Sequence, residues 1–279
     1  MSGEPSGGST GSFCLHPEVA TATAGHKAPA AQPAPARVIG QLGQSLDGRI
    51  ATASGESKYI NGMHSLAHLH SLRASVDAVV VGVGTVVADD PLLTVRHVAG
   101  RSPARVVLDP SGRVDPQARC FAADGARRVV VRRGRGGRPL PEGVETLVLP
   151  GEAAFAPAAV IAGLREMGFS RLLVEGGART LAAFLDAACI DELHVFVSPV
   201  ILGSGRQGLA LSGRETLASA LRPAARARVF PDGDVLFELD LRAAAGDGLG
   251  TSGRDARGPG DQGESEDHEQ RRSRLRAAG

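Results

Sequence analysis

Aromatic residues are scarce in this chain of 279 residues, which has no tryptophan, one tyrosine and eight phenylalanines. The hydrophobic core must therefore be filled mainly by Val, Leu, Ala and Ile. An excess of charge of either sign is also missing, because 31 basic side chains stand against 30 acidic ones and the formal net charge is +1. This balance argues against a strongly basic nucleic-acid-binding protein and against an acidic solvating chain, so we expect no nucleic-acid partner.

Cysteine pairs and long apolar runs are missing as well. Cys14, Cys120 and Cys189 lie far apart without a C-x-x-C pair, which argues against a disulfide framework and a structural zinc site. No apolar run approaches the roughly 18–20 residues that span a bilayer. The N-terminus MSGEPSGGST has neither the basic region nor the apolar stretch of a signal peptide. We therefore expect a protein of the reducing cytoplasm that has no membrane partner.

The two ends of the chain differ in composition from its middle. Residues 1–36 are rich in Gly, Ser, Ala, Pro and Thr, and residues 243–279 contain Gly, Asp, Glu and Arg but almost no large apolar side chains. Such segments cannot bury enough apolar surface to offset the entropy cost of ordering them. We expect a disordered leader over 1–36, one folded domain over 37–242 and a disordered tail over 243–279.

Between these ends, β-rich apolar runs alternate with helical patterns. Several of the runs are apolar throughout, as in strands that are buried on both faces of a sheet. This alternation predicts an α/β fold with a largely parallel sheet and helices on its faces. The predicted helices are Met63–Ser75, Pro157–Met167 and Ala178–Ala188, the predicted loops are Arg132–Pro141 and Gly203–Ala220, and the predicted strands are Val38–Leu46, Asp77–Val83, Arg105–Leu108, Arg128–Val131, Val144–Leu149, Arg171–Val174, Glu192–Ile201 and Val235–Leu239.

Four glycine-containing clusters stand at or just after strand ends, where an open α/β sheet usually binds its ligand. Glycine lets the main chain approach a ligand closely, and the free N–H groups of a helix start favour a phosphate. Each cluster alone is equally consistent with an ordinary tight turn. G-V-G-T is not a dinucleotide fingerprint, because Val87 stands where a third glycine would be. The clusters are S-L-D-G-R-I (45–50) with S-G-E-S-K-Y-I (54–60), V-G-V-G-T (81–85), V-E-G-G-A-R-T (174–180) and S-P-V-I-L-G-S-G (198–205).

Two arginines and two histidines near these clusters are candidate ligand-binding residues. The guanidinium groups of Arg73 and Arg96 suit phosphate oxygens, although a solvated surface role stays open for any single arginine. His64 and His68 lie four apart on a predicted helix, but no glutamate stands between them and no third ligand is evident, so we expect no metal. No G-x-S-x-G stands at a predicted strand-to-helix turn, because the one match, G-G-S-T-G at 7–11, lies in the leader. This argues against the nucleophile elbow of a serine hydrolase.

Taken in order, the clusters resemble the reductase domain of bacterial riboflavin biosynthesis, the RibD C-terminal family. The most specific part is D-A-V-V-V-G-V-G-T-V-x-A-D-D-P-L-L-T-V-R at 77–96, and the V-V-L-D strand and L-L-V-E-G-G-A add to it. The resemblance covers about residues 37–240. It implies a dihydrofolate-reductase-like fold with a mostly parallel mixed sheet. It also implies NADPH-dependent reduction of a ribosylaminopyrimidine 5′-phosphate to the ribitylamino compound. We expect the protein to form a homodimer.

The resemblance also assigns roles to the positions that match the family's motifs. Tyr59 replaces the Trp that bacterial enzymes of this type often carry, and so retains an aromatic ring. The substrate-contacting positions are Ser57, Arg73, Leu93, Arg96 and Glu175, and the cofactor-contacting positions are Gly43, Tyr59, Thr85, Asp89, Gly177, Ala178, Arg179 and Thr180.

The implied chemistry is hydride transfer from the nicotinamide to C1′ of the opened ribosylamine, and no residue is assigned as the proton donor. Bifunctional relatives carry a zinc deaminase with an H-x-E and P-C-x-x-C signature before the reductase, whereas this chain has no P-C-x-x-C, so we expect no deamination. The sequence does not say whether the substrate ring has an oxo or an amino group at position 2. Two alternatives stay open: a related pteridine or pyrimidine reductase of a secondary pathway, and a non-catalytic nucleotide-binding paralogue.

Overall fold

The computed structural model describes residues 35–134, 136–150 and 155–242. Apart from positions 35 and 36, the predicted leader and tail lie outside the described residues. None of the described helices is both long and apolar enough to cross a bilayer. The helices are α1 (Met63–Ser75), α2 (Val83–Asp89), α3 (Pro157–Glu166) and α4 (Ala178–Asp186), and the strands are β1 (Arg37–Ser45), β2 (Arg49–Thr52), β3 (Ala78–Gly82), β4 (Ala104–Leu108), β5 (Arg128–Arg132), β6 (Val144–Val148), β7 (Arg171–Glu175), β8 (Glu192–Ser198), β9 (Gly205–Gln207), β10 (Ala224–Val229) and β11 (Val235–Asp240).

Nine of the described strands form one sheet in the order β10-β11-β8-β1-β7-β3-β4-β5-β6, and β2 pairs with β9 in a separate ribbon. The strands from β8 to β6 run parallel, and β11 and β10 add an antiparallel edge. This topology confirms the predicted mostly parallel mixed sheet. The chain passes from β1 to β3 and later returns to place β7 between them, so the strand order reverses there. Such a reversal opens a crevice at the carboxyl ends of the strands.

Aliphatic side chains fill the core on both faces of the sheet, as the scarcity of aromatic residues requires. All five residues of β4 are buried, so this strand is covered on both sides. On one face, Val80 and Leu172 belong to a cluster that includes Leu181 of α4 and residues of α3. On the other face, Val79 and its neighbours pack with residues of α1 and α2. We call this second side the α1 face.

The three predicted helices and eight predicted strands are confirmed, with shifts of up to three residues at their ends, while α2, β2, β9 and β10 were not predicted. The predicted strand through Val83 is wrong at its end, because Val83 already begins α2. Glycines on either side of Val83 disfavour a helix by propensity, and packing of Val83 and Val86 into the core overrides it. The predicted loop Gly203–Ala220 contains β9. Every residue of β10 is exposed, and its sequence A-A-R-A-R-V alternates mainly small alanines with arginines. This apolar signal is too weak to identify a strand.

Candidate active site

A cavity of about 610 Å³ opens beyond the carboxyl ends of β3 and β7, where the strand order reverses. The starts of α2 and α4 form two of its walls, and residues of the β2–β9 ribbon line a third. Open α/β sheets bind ligands at this position. The cavity brings together seven of the predicted site residues, namely Ser57, Thr85, Asp89, Gly177, Ala178, Arg179 and Thr180.

Two glycines allow α2 and α4 to begin close to each other. A Cβ at Gly82, just before α2, would collide with the Thr180 Oγ1, and a Cβ at Gly177, just before α4, would lie 2.9 Å from the Thr85 Oγ1. Gly177 also has a φ of 71°, in the left-handed region that favours glycine. The absence of these two side chains therefore keeps the space between the two helix starts open. We call this space, bounded by Gly82–Thr85 and Gly177–Thr180, the cradle.

The cavity presents N–H groups, positive side chains and an apolar wall. Neither α2 nor α4 has a side-chain cap at its start, so the first N–H groups of each helix have no side-chain acceptor there. Arg113, Arg179 and Arg206 line the cavity, against the single carboxylate of Asp89 among the described lining residues. Leu108, Phe155 and Phe184 add apolar surface. This combination suits a ligand that carries both phosphate groups and flat rings.

The S-L-D-G and S-P-V-I-L-G-S-G clusters meet at Asp47. Its carboxylate accepts hydrogen bonds from the Ser45 Oγ at 2.6 Å, the Leu202 N–H at 3.1 Å and the Gly203 N–H at 2.7 Å. The Ser45 bond, with the two backbone bonds, lowers the pKa of Asp47 to about 2. These contacts join the turn before β2 to the loop before β9, and so position the ribbon that lines the cavity.

Arg73 and Glu175 form a buried ion pair on the α1 face. Arg73 Nε and Nη2 donate to the two Glu175 oxygens at 2.7 and 2.6 Å, and Nη1 donates to the Thr94 carbonyl at 3.0 Å. Each side chain is only 8% exposed. Burial opposes the charge of Arg73, but the Glu175 carboxylate outweighs burial and raises the Arg73 pKa. The guanidinium that the sequence analysis assigned to a substrate phosphate is thus held by Glu175, a second predicted substrate contact.

Arg96 lies near this pair with an exposed side chain. Its backbone N–H donates to His70 Nδ1 at 2.9 Å, and its Nη1 donates to the Thr94 Oγ1 at 3.1 Å. Partial burial and the charges of Arg73 and Arg119 lower the Arg96 pKa. Burial, with the nearby Arg73 charge, lowers the pKa of His70 to about 4, so at pH 7 its ring is neutral and Nδ1 can accept the bond.

Three further predicted site residues lie outside the cavity lining. Leu93 is buried in the core and has a φ of 56°. A Cβ at Gly43 would collide with the Asn61 Oδ1, so this glycine makes room for the segment that follows β2. Tyr59 is 94% exposed and has a φ of 67°, a conformation that is uncommon for a residue other than glycine. Its ring is therefore displayed in solvent two residues from Ser57.

The sequence analysis missed Arg113 and Arg206 as cavity residues. Arg206 lies on β9, in the segment that was predicted as a loop. Arg113 follows a turn in which the Asp109 carboxylate accepts the N–H groups of Arg113 and Val114, both at 3.0 Å. The D-P-S-G sequence after β4 is a turn signal at a further strand end, and it could have identified this part of the site.

The sheet topology and the crevice are those of open α/β proteins, a class that usually binds its ligands at the carboxyl edge of the sheet. Residues 36–228 match the family model of the RibD C-terminal domain. The match covers more than half of the chain, so the chain belongs to this family and the predicted resemblance is confirmed.

Curated relatives of the chain are bacterial and archaeal. It is 39% identical over 166 residues to the riboflavin biosynthesis protein RibD of Aquifex aeolicus, covering 58% of this chain and 46% of that protein. It is 36% identical over 197 residues to the 2,5-diamino-6-ribosylamino-4(3H)-pyrimidinone 5′-phosphate reductase of Methanothermobacter thermautotrophicus, covering 66% of this chain and 88% of that protein. The chain thus spans about half the length of the RibD proteins that it matches and most of the archaeal reductase.

The fold is shared with a solved bifunctional relative. The diaminohydroxyphosphoribosylaminopyrimidine deaminase/5-amino-6-(5-phosphoribosylamino)uracil reductase of Thermotoga maritima superposes with a TM-score of 0.63 at 29% identity, covering 74% of this chain and 56% of that one. This likeness confirms the predicted fold class.

Proposed function

We propose that this chain is an NADPH-dependent reductase that converts a ribosylaminopyrimidine 5′-phosphate to the corresponding ribitylaminopyrimidine 5′-phosphate. The observation that carries the proposal is the cradle at the carboxyl edge, where two uncapped helix starts and three arginines line one cavity. Family membership and the similarity to the archaeal 2,5-diamino-6-ribosylamino-4(3H)-pyrimidinone 5′-phosphate reductase support the same reaction. The cytoplasm is the compartment in which we expect it to act.

The residues of the cradle fit a dinucleotide phosphate. Gly177, Ala178, Arg179 and Thr180 would offer N–H groups and a guanidinium to the pyrophosphate at the start of α4, and Thr85 and Asp89 would contact the cofactor from α2. When bound there, the nicotinamide would supply the hydride to C1′ of the opened, imine-like ribosylamine, and water would supply the proton that completes the reduction. Tyr59, whose ring is free in solvent, would stack on a cofactor ring from the cavity mouth.

For the substrate, we propose contacts from Ser57 in the cavity and from the exposed guanidinium of Arg96. Arg73 and Glu175 already satisfy each other, so we assign them chiefly to positioning the Thr94–Arg96 segment, through the Arg73 bond to the Thr94 carbonyl. Arg73 retains two N–H donors for a direct phosphate contact. Leu93 would help to position the same segment, because its buried side chain anchors the adjoining backbone in the core.

The test is NADPH oxidation with each of the two ribosylaminopyrimidine 5′-phosphates, which have an oxo or an amino group at ring position 2. We expect one of them to drive steady oxidation and to yield the ribityl product. A panel of pterin and pyrimidine substrates serves as the comparison. Turnover confined to that panel would favour the related reductase of another pathway, and NADPH binding without any turnover would favour the non-catalytic paralogue.

The reaction is expected to need no metal, because hydride transfer is performed by the cofactor and the cradle binds phosphate through N–H groups and arginines. NADPH affinity and turnover should both stay unchanged after treatment with a metal chelator. Calorimetric titration of NADPH before and after chelation measures the affinity, and the oxidation assay measures the turnover. Activity that is abolished by the chelator and restored by zinc would contradict this prediction.

We further propose a homodimer that buries the β10–β11 edge. Leu217, Leu221, Val229 and Phe237 are exposed in this region, Val229 by 72%, and β10 is an edge strand with unpaired backbone groups on one side. Sedimentation velocity should show a dimer, and Val229→Asp should shift it toward monomer. Val148→Asp, at an exposed residue of β6 on the opposite edge of the sheet, is the matched control. A wild-type monomer would contradict the proposal.

A further inference from the structure

Two histidines and a glutamate converge on the α1 face at the antiparallel edge of the sheet, apart from the cavity lining. His68 on α1 and His194 on β8 approach until Nε2 of His68 lies 2.8 Å from Nδ1 of His194. Glu238 on β11 is the direct cross-strand partner of His194, and such partners project from the same face of a sheet. One ligand atom from each of the three residues lies within 4.8 Å of the others.

A carboxylate behind His194 fixes which ring nitrogen faces the cluster. His194 Nε2 lies 2.9 Å from the Glu192 Oε1, so Nε2 carries the proton and donates it to the carboxylate. The Nδ1 lone pair is therefore directed at His68. In metal sites, the ring N–H of a ligating histidine that does not face the metal commonly donates to a carboxylate in this way. Glu192 is itself held by an ion pair with Arg37.

The His68 ring is held against the cluster by packing. It stacks on the His194 ring with the centroids 5.0 Å apart and meets the Phe196 ring edge-on at 5.3 Å. Because His194 Nδ1 is an acceptor, His68 Nε2–H donates the hydrogen bond between the two rings, and a metal ion would take the place of that proton.

The guanidinium of Arg228 is directed over the Phe230 ring, 4.7 Å from its centroid, and is not paired with Glu238 among the described ion pairs. Arg226, the cross-strand partner of Glu238 on β10, is likewise in no ion pair with it among the described residues, so the Glu238 carboxylate is available to the cluster.

We propose that His68, His194 and Glu238 form a binding site for a zinc ion. Two imidazole nitrogens and one carboxylate oxygen are a ligand set that zinc accepts, with a fourth position left for water. Tetrahedral coordination at about 2.0–2.1 Å from each nitrogen places the two nitrogens roughly 3.3 Å apart. The 2.8 Å separation therefore needs to widen by only about half an ångström. The sequence groups His68 with His64 and predicts no metal. The structure instead places His68 beside His194 and Glu238, which the strand register brings together.

The site would fasten three elements that are distant in the chain. It links α1 to β8 and β11, so a bound ion would hold the antiparallel edge and the helix together. Because none of the three ligands lines the cavity, zinc is not assigned any part in hydride transfer. A failure of zinc binding would therefore leave the proposed reductase activity untouched, and a failure of the reductase assay would leave the proposed zinc site untouched.

The test is a titration of the full-length, chelator-treated protein with Zn²⁺, followed by competition with a chromophoric chelator. We expect one zinc per chain at this site, with affinity reduced about tenfold or more by His194→Gln and by Glu238→Gln. Glu192→Gln should weaken binding by about 10- to 100-fold without removing a ligand. His64→Gln, on the same helix and bonded to Asp232, is the matched control and should bind zinc like the wild type.

A second readout separates ligation from folding. Substituting Co²⁺ should give visible d–d absorption in the wild type and in His64→Gln, and this absorption should be lost in Glu238→Gln, a half-buried position where the variant is expected to fold. Zinc should also raise the melting temperature of the wild type, because the ion binds the folded state. Equal zinc affinity in the wild type and both ligand variants, or no zinc binding by the folded wild type, would overturn the proposal.

Discussion

Replacing Glu175 with alanine is expected to lower the free energy of unfolding by about 3–5 kcal/mol, because it leaves the buried guanidinium of Arg73 without its counter-charge. For a domain of this size, such a loss corresponds to a fall of roughly 10 °C in the melting temperature. Both side chains of the pair are 8% exposed, so solvent cannot replace the lost carboxylate. Chemical denaturation of the wild type and the variant measures the difference in the free energy of unfolding.

A second Arg–Glu pair in the same chain provides the control. Arg127 Nε and Nη2 donate to the two Glu145 oxygens at 2.8 and 2.9 Å, in the same two-bond arrangement as the buried pair. Their side chains, however, are 44% and 40% exposed. Glu145→Ala should therefore cost only about 0–1 kcal/mol. An equal decrease in the free energy of unfolding for Glu175→Ala and Glu145→Ala would show that burial does not determine how much the Arg73–Glu175 pair contributes to stability.

Arg96→Ala is expected to lower kcat/KM by roughly ten- to more than a hundredfold with the phosphorylated substrate. The reason is the loss of one charge-assisted phosphate contact, which contributes on the order of 1.5–3 kcal/mol. NADPH affinity should change little. Steady-state kinetics with phosphorylated and dephosphorylated substrate measure the effect, and Arg101→Ala, an exposed arginine a few residues away, is the control.

The same comparison can reject the assignment. If Arg96→Ala loses equal activity on both substrates, Arg96 does not bind the phosphate. A loss confined to NADPH affinity would place Arg96 on the 2′-phosphate of the cofactor instead. Arg73→Ala gives a weaker test, because removing Arg73 also leaves Glu175 unpaired in the core and lowers stability.

Local pattern was sufficient to predict much of the fold. Met63–Ser75 has the same bounds in the sequence analysis and in the structure, and the strands buried on both faces were found from their uninterrupted aliphatic runs. The missed elements are those that tertiary contacts create. The start of α2 carries glycine at position 84, against helix propensity. The apolar positions of β10 are mainly alanines that alternate with arginines, and all of them are exposed, so the sequence gives only a weak strand signal there.

In the candidate site too, local features were predicted from the sequence and long-range contacts were not. The glycine clusters predicted the cradle, because a strand end followed by glycine and a helix start is a local feature. The pairing of Arg73 with Glu175 joins residues that are 102 positions apart, and no local signal reveals it. The convergence of His68, His194 and Glu238 likewise depends on the register between β8 and β11, which the sequence alone did not provide.

The proposed hydride transfer is measured directly by following deuterium from NADPH that is labelled at the hydride-donating position of its nicotinamide ring. The protein, the labelled cofactor and the reactive ribosylaminopyrimidine 5′-phosphate are incubated, and the product is analysed by mass spectrometry and NMR. We predict a ribitylamino product that carries one deuterium at C1′. A product without deuterium, or oxidation of the cofactor without formation of the ribityl compound, would contradict the proposed reaction.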